Sequence, residues 1–141
     1  MESFARRREK NLRRGGGLQI LMRKRRGVEM EEVRTRSEEV LCIEGVCFGL
    51  EMRMVLAYFD VRRDEEGRQN NQVIREEMER LIEENEKEGV IVLGDFNGHL
   101  EELDGKKDDM NGKMIRSWVE EYDLTLMNGD DKCEGVFTWM G

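Results

Sequence analysis

The run Val90-Ile91-Val92-Leu93-Gly94-Asp95-Phe96-Asn97-Gly98-His99 carries the residue types and spacing best suited to chemistry in this chain. A buried apolar strand aims whatever follows it. Here it delivers Asp95 and Asn97, two positions apart and on one side if the chain stays extended. Gly94 removes a side chain where another backbone or a phosphate must come close, and Phe96, facing the other way, can anchor the loop in a core. A carboxylate accepts a proton from water or holds Mg²⁺ through oxygen, while an amide orients the water and donates to a phosphate oxygen. The pair suits hydrolysis of a phosphodiester. Asp and Asn also close ordinary turns by bonding the local backbone, so the spacing alone leaves both readings open.

Other phosphate and metal motifs fit worse. His99 is the only histidine, so the upstream Asp-x-His of a metallophosphatase is missing. Asp104-Gly105-Lys106-Lys107-Asp108 and Asn128-Gly129-Asp130-Asp131-Lys132 put Lys where a calcium loop needs oxygen ligands. Gly15-Gly16-Gly17 lacks the Gly-Lys-Ser/Thr of a phosphate-binding loop. Cys42, Cys47 and Cys133 are odd in number and contain no Cys-x-x-Cys pair, which points away from a disulfide framework or a zinc knuckle.

The elements that must position Asp95 follow from periodicity. Leu18–Met22 and Val40–Ile43 read as short strands, and Met52–Phe59 as a longer one with Met52, Met54, Leu56 and Tyr58 on one face. Short glycine-containing links suggest an antiparallel meander. A helix follows, with Asn70 or Asn71 as cap, Val73, Ile74, Met78, Leu81, Ile82 and Asn85 inward, and Gly89 as the stop. Val90–Leu93 reads as a strand buried on both faces, Lys113–Tyr122 as a second amphipathic helix, and Leu124–Met127 and Val136–Trp139 as further strands. Strands first and helices alternating with strands afterwards predict an α/β layered fold.

Composition bounds the rest. The 141 residues are 40% charged and contain no proline, with a net charge of -8. Residues 1–36 carry 12 Lys/Arg against 5 Asp/Glu, and residues 37–141 carry 12 against 27. A basic flexible arm over residues 1–17 and an acidic body over 18–141 are expected. Such an arm steers a polyanion while the body attracts a cation. No apolar run is long enough to span a bilayer, and no apolar segment follows the Arg-rich start, so an intracellular protein without a membrane partner is expected.

Gly94-Asp95-Phe96-Asn97 after an apolar strand resembles the signature of the endonuclease/exonuclease/phosphatase superfamily. With Gly98, His99 and Leu100 it is most similar to the endonuclease domain of non-LTR retrotransposons. Gly15-Gly16-Gly17 before a strand, Met54–Phe59, Asn111-Gly112-Lys113, Leu126-Met127-Asn128 and Phe137-Thr138-Trp139 extend the resemblance in order over residues 15–141. It implies a DNase-I-like sandwich of mixed sheets flanked by helices, and Mg²⁺- or Mn²⁺-dependent cutting of DNA by in-line attack of water. It also implies a reverse-transcriptase domain downstream in the full element. Asp95 would position the attacking water, Asn97 would orient Asp95 and bind the phosphate, Tyr58 would lie near the leaving oxygen, and Asn128 would support substrate binding. Asp95 is also a possible metal ligand.

The departures from the family pattern matter equally. The family's Asn and metal-binding Glu on its first strands have no match, since Asn11 and Glu9 sit in the Arg-rich stretch. Its later Asp and Ser-Asp-His would fall beyond Gly141, His99 does not match that His, and Asp60 stands where Pro is frequent. A domain incomplete at both ends, with impaired activity, is expected. The competing expectation is a non-catalytic remnant that binds nucleic acid or protein.

Overall fold

The computed structural model describes residues 1–7 and 17–129. The expected strand over Val136–Trp139, together with Glu9 and Asn11, lies outside the described residues. Two compact units divide the chain, Met1–Phe96 and Asn97–Gly141.

In the first unit, β1 (Glu2–Arg7) and β2 (Gly17–Met22) pair antiparallel as a two-stranded sheet. A second sheet has the order β3 (Val28–Val33), β4 (Val40–Cys47), β5 (Leu50–Tyr58), β6 (Gly89–Asp95). Its first three strands form an antiparallel meander, and β6 joins β5 in parallel. A parallel partner requires a crossover, which α1 (Glu65–Glu83) supplies while packing on β4 and β5.

Both faces of β4 are covered, so Val40, Leu41, Cys42 and Ile43 are all buried. Leu41 and Ile43 join Phe4 and Met30 in one cluster, against which Leu18, Ile20, Met22, Met52, Met54 and Leu56 pack. On the opposite face, Val40, Cys42 and Glu44 pair with Ala57, Val55 and Arg53. Arg53 is itself buried. Its Nε donates to Glu44 at 2.9 Å and its Nη1 to the Leu81 carbonyl at 2.8 Å, meeting an acceptor near the end of α1 that has no helical partner. Each fully buried aliphatic side chain contributes roughly 1.5–3 kcal/mol, so this double-sided sheet is where the unit's stability resides.

Several expectations need correction. Residues 2–7, expected within a flexible arm, form a strand because Phe4 buries in the core. The meander does not begin at Leu18–Met22: that strand belongs to the other sheet, and β3, unanticipated, takes its place. Helix α1 begins at Glu65 under Asp64, whose carboxylate accepts from the Gly67 N–H at 2.8 Å. Asn71 instead braces the approach to the helix, its amide bonding the Asp60 backbone in both directions. The helix ends at Glu83, five residues short of Gly89, which opens β6, and Val73 points to solvent. Nor is β6 buried on both faces. Among the described residues it pairs only with β5, and Ile91 and Leu93 remain 37% and 42% exposed.

The second unit holds α2 (Glu101–Asp104), α3 (Met110–Glu121) and a 3-10 turn at Met127–Gly129. Helix α3 buries Met114 and Trp118. Leu124–Met127 is not a strand: Asp123 takes a φ of +52° and the chain turns into the 3-10 segment. With two sheets, one of them mixed, and helices alongside, the mixed α/β architecture is compatible with a partial DNase-I-like fold.

Candidate active site

Strand β5 ends at Tyr58 and β6 at Asp95, and the parallel register makes these two residues partners. Partners in a parallel pair project from the same face, so the tyrosine and the carboxylate leave the sheet side by side. Parallel strands of an α/β sheet present ligands at their carboxyl ends, which is where this pair stands.

The local sequence explains why the strands close so tightly there. At Gly94 φ is +154°, and a Cβ would stand 2.2 Å from the Ala57 carbonyl oxygen. Only glycine lets β6 approach β5 in that conformation. One residue on, the Phe59 N–H donates to the Asp95 carbonyl at 2.9 Å, prolonging the pairing beyond the strand ends. The Phe59 and Phe96 rings then meet with centroids 5.5 Å apart and planes tilted by 55°. That arrangement is favourable for aromatic pairs. Phe96 does anchor the segment after Asp95, through Phe59.

Asn97 opens the second unit with φ +46°, a left-handed conformation that Asn tolerates better than most residues. Strand geometry ends at Asp95, so the extended spacing assumed for Asp95 and Asn97 does not continue to Asn97. Within its own unit the Asn97 loop is held by the start of α3. Asn111 donates from its side-chain amide to the Asn97 carbonyl at 3.3 Å. Asp109 caps α3 through the Gly112 N–H at 2.8 Å and also accepts from the His99 N–H at 3.1 Å. A Cβ on Gly112 would stand only 1.9 Å from the His99 carbonyl oxygen, so this contact too is written for glycine.

His99 turns toward Asp104, with Nδ1 2.6 Å from Oδ2. That hydrogen bond is the main reason the Asp104 carboxyl is held below the usual carboxylate range. Arg116 ties α3 to the same stretch, bonding Asp108 at 2.7 Å and also Glu102. Its guanidinium pulls the Asp108 carboxyl down to about 2. Asn128 is half-buried in the 3-10 turn, which lies against α2.

Asp109 escaped the sequence reading, although Asp three residues before Gly112 at a helix start is a recognisable cap. The Asn111–Lys113 landmark did mark the right helix. For a metal, the described residues offer the Asp95 carboxylate, and none of them form a group of three His, Cys, Asp or Glu able to hold an ion. Mg²⁺ needs only one or two protein carboxylates, with water and phosphate oxygens completing its shell. Asp95 fits that minimal pattern. No helix among the described residues is long and apolar enough to cross a membrane.

No curated protein and no solved structure matches the chain. A family model does, described as endonuclease-reverse transcriptase, over residues 52–137. The match takes in all but the first two residues of β5, then α1, β6, α2 and α3, and with them Tyr58, Asp95, Asn97 and Asn128. Covering more than half of the chain, it shows that this protein belongs to the endonuclease-reverse transcriptase family, a non-LTR-retrotransposon-like branch of the endonuclease/exonuclease/phosphatase superfamily.

Proposed function

We propose that the chain carries part of the catalytic machinery of a metal-dependent DNA endonuclease. The observation that supports this most is the register setting Tyr58 beside Asp95 at the carboxyl ends of two parallel strands. In this reading the Asp95 carboxylate accepts a proton from a water whose oxygen attacks phosphorus in line with the departing ester oxygen. The new P–O bond forms as the old one breaks. The Asn97 amide donates to a phosphate oxygen, and the Tyr58 hydroxyl lies near the leaving oxygen. Asn128 supports the substrate. Asp95 is the residue that would hold Mg²⁺ or Mn²⁺, which would supply positive charge against the phosphate oxygens.

DNA is the proposed substrate because the family takes its name from an element with a reverse transcriptase, whose product is DNA. The same association makes a reverse-transcriptase domain the proposed partner.

Supercoiled-plasmid nicking with Mg²⁺ or Mn²⁺ tests the reading, using this chain and a version extended at both ends from its reading frame. In whichever form nicks, Asp95→Ala is expected to lower the rate by at least about a hundredfold and Tyr58→Phe by about tenfold. Nicking that survives Asp95→Ala would overturn the assignment. Nicking by neither form would leave the chain a non-catalytic binding module.

A further inference from the structure

The loop between β2 and β3, Arg23-Lys24-Arg25-Arg26-Gly27, sets four consecutive cations in a chain of net charge -8. All four side chains are exposed, and among the described residues none has an ion pair or side-chain hydrogen bond. Five other arginines behave differently: Arg53, Arg62, Arg75, Arg80 and Arg116 each hold a carboxylate within 2.7 Å, whereas the separate Arg34 and Arg36 share the loop's lack of a side-chain ion pair among the described residues. Glutamates are abundant in this protein, yet among the described residues the loop engages none of them.

The loop is nonetheless fixed in place. The Val28 N–H donates to the Arg25 carbonyl at 3.2 Å, and the Gly27 carbonyl accepts from the Phe48 N–H at 2.8 Å. The second bond joins the loop to the tight turn between β4 and β5, where Phe48 and Gly49 both have positive φ, +51° and +84°. Asn-Gly is the usual choice for such a turn, and a bulky residue there is strained. Phe48 is also 66% exposed, with Cδ1 4.0 Å from where a Cβ on Gly27 would stand. A solvent-facing aromatic ring thus lies against the Gly27 end of a loop whose four cations are unpaired among the described residues, on a backbone that a smaller polar residue would suit better.

We propose that the Arg23–Arg26 loop and Phe48 form a binding edge for single-stranded nucleic acid, distinct from the Tyr58–Asp95 pair. The cations lie along the phosphates and the Phe48 ring stacks on an unpaired base, the combination by which proteins hold single strands without reading their sequence. A duplex offers the phosphates but no free base face. This inference rests on the nucleic-acid part of the proposed function and adds a preference for a strand already opened.

The test titrates the whole chain, with EDTA present so that nothing is cut, into labelled oligothymidylate and into a duplex of equal length over a salt series. Replacing Arg23, Lys24, Arg25 and Arg26 together by Gln should reduce the slope of log affinity against log salt on the single strand by about 2–3, at about 0.7 per lost phosphate contact. An all-Lys version of the loop should restore it. Phe48→Asn, which suits the turn, should leave the slope and the thermal midpoint intact or raise the midpoint. It should weaken single-strand binding about tenfold, with little change on duplex.

Equal salt slopes in the wild type and the Gln variant would overturn the proposal. So would a Phe48→Asn chain that still prefers the single strand as before. Capture by phosphatidylserine vesicles or by a nuclear-import receptor, with no oligonucleotide binding, would overturn it too. Because no cleavage is required, a chain that binds in this way but never nicks would remove the catalytic assignment and leave this edge standing.

Discussion

Gly94 is the residue on which the candidate site turns, since it allows β6 to come within reach of Ala57 just before Asp95. Gly94→Ala combines an unfavourable φ with a backbone clash and is expected to cost at least about 2 kcal/mol in urea unfolding. Gly89→Ala on the same strand meets nothing within 4 Å and should be neutral or stabilising by up to about 1 kcal/mol. An equal loss at both positions would show that the close approach at Gly94 carries no special weight. Sequence made Gly94, Asp95 and Phe96 legible as a glycine, an acid and an anchor in the right order. It did not show that Tyr58 is the partner of Asp95, because the two lie far apart in the chain and only the parallel register joins them. Asn97 was misjudged in conformation. Nothing in an Asp-x-Asn spacing says where a strand stops, and this one stops at Asp95.

Elements with strong apolar periodicity were readable: β4, β5, α1, β6 and α3 all lie where their hydrophobic patterns place them. Those that failed have little to bury. Strand β3 carries three glutamates, with Met30 its one buried side chain, and in β1 only Phe4 is large and apolar. Helix limits failed for a different reason, since any of Asp64, Asn70 and Asn71 can cap and only the fold selects. Asp64→Ala should therefore cost about 1 kcal/mol, and Asn70→Ala much less, measured side by side by denaturant unfolding. Between α2 and α3, and again just before α1, the acid limb of stability is informative. Asp108 is depressed to about 2 by Arg116, and Asp60 is likewise depressed by Arg62. A depressed carboxylate stabilises the fold above its unfolded value, near 4, and that contribution is lost as pH falls through the folded value. Stability should thus decline from about pH 4 to about pH 2. Arg116→Gln should make the decline shallower, as thermal midpoints across a pH series would show.

Across the whole molecule, protection from solvent is uneven in a way that hydrogen exchange can read. Amides of β4 and β5 lie in central strands among Leu41, Cys42, Ile43 and Val55, all fully buried. They should exchange slowest, while β6, with Ile91 and Leu93 exposed, should exchange faster despite its apolar sequence. Equal protection of β6 would mean that it is covered in solution. The α/β class was legible at this scale because it depends on the order of periodic segments. The separate pairing of β1 with β2 was not, because a two-stranded sheet leaves almost no mark on local sequence.

The parallel joining of β6 to β5 also sets a timetable for the protein's birth. The β4–β5 hairpin can close across Phe48-Gly49 as soon as it leaves the ribosome. The strand bearing Asp95 must wait until α1 has been made and has crossed back over the sheet. At typical rates of synthesis that delay is on the order of a few seconds, during which Tyr58 has no acid beside it and the rim of β5 stands open. A nascent chain therefore cannot assemble the Tyr58–Asp95 pair until late in its making, and that open rim is the surface that a chaperone would have to guard.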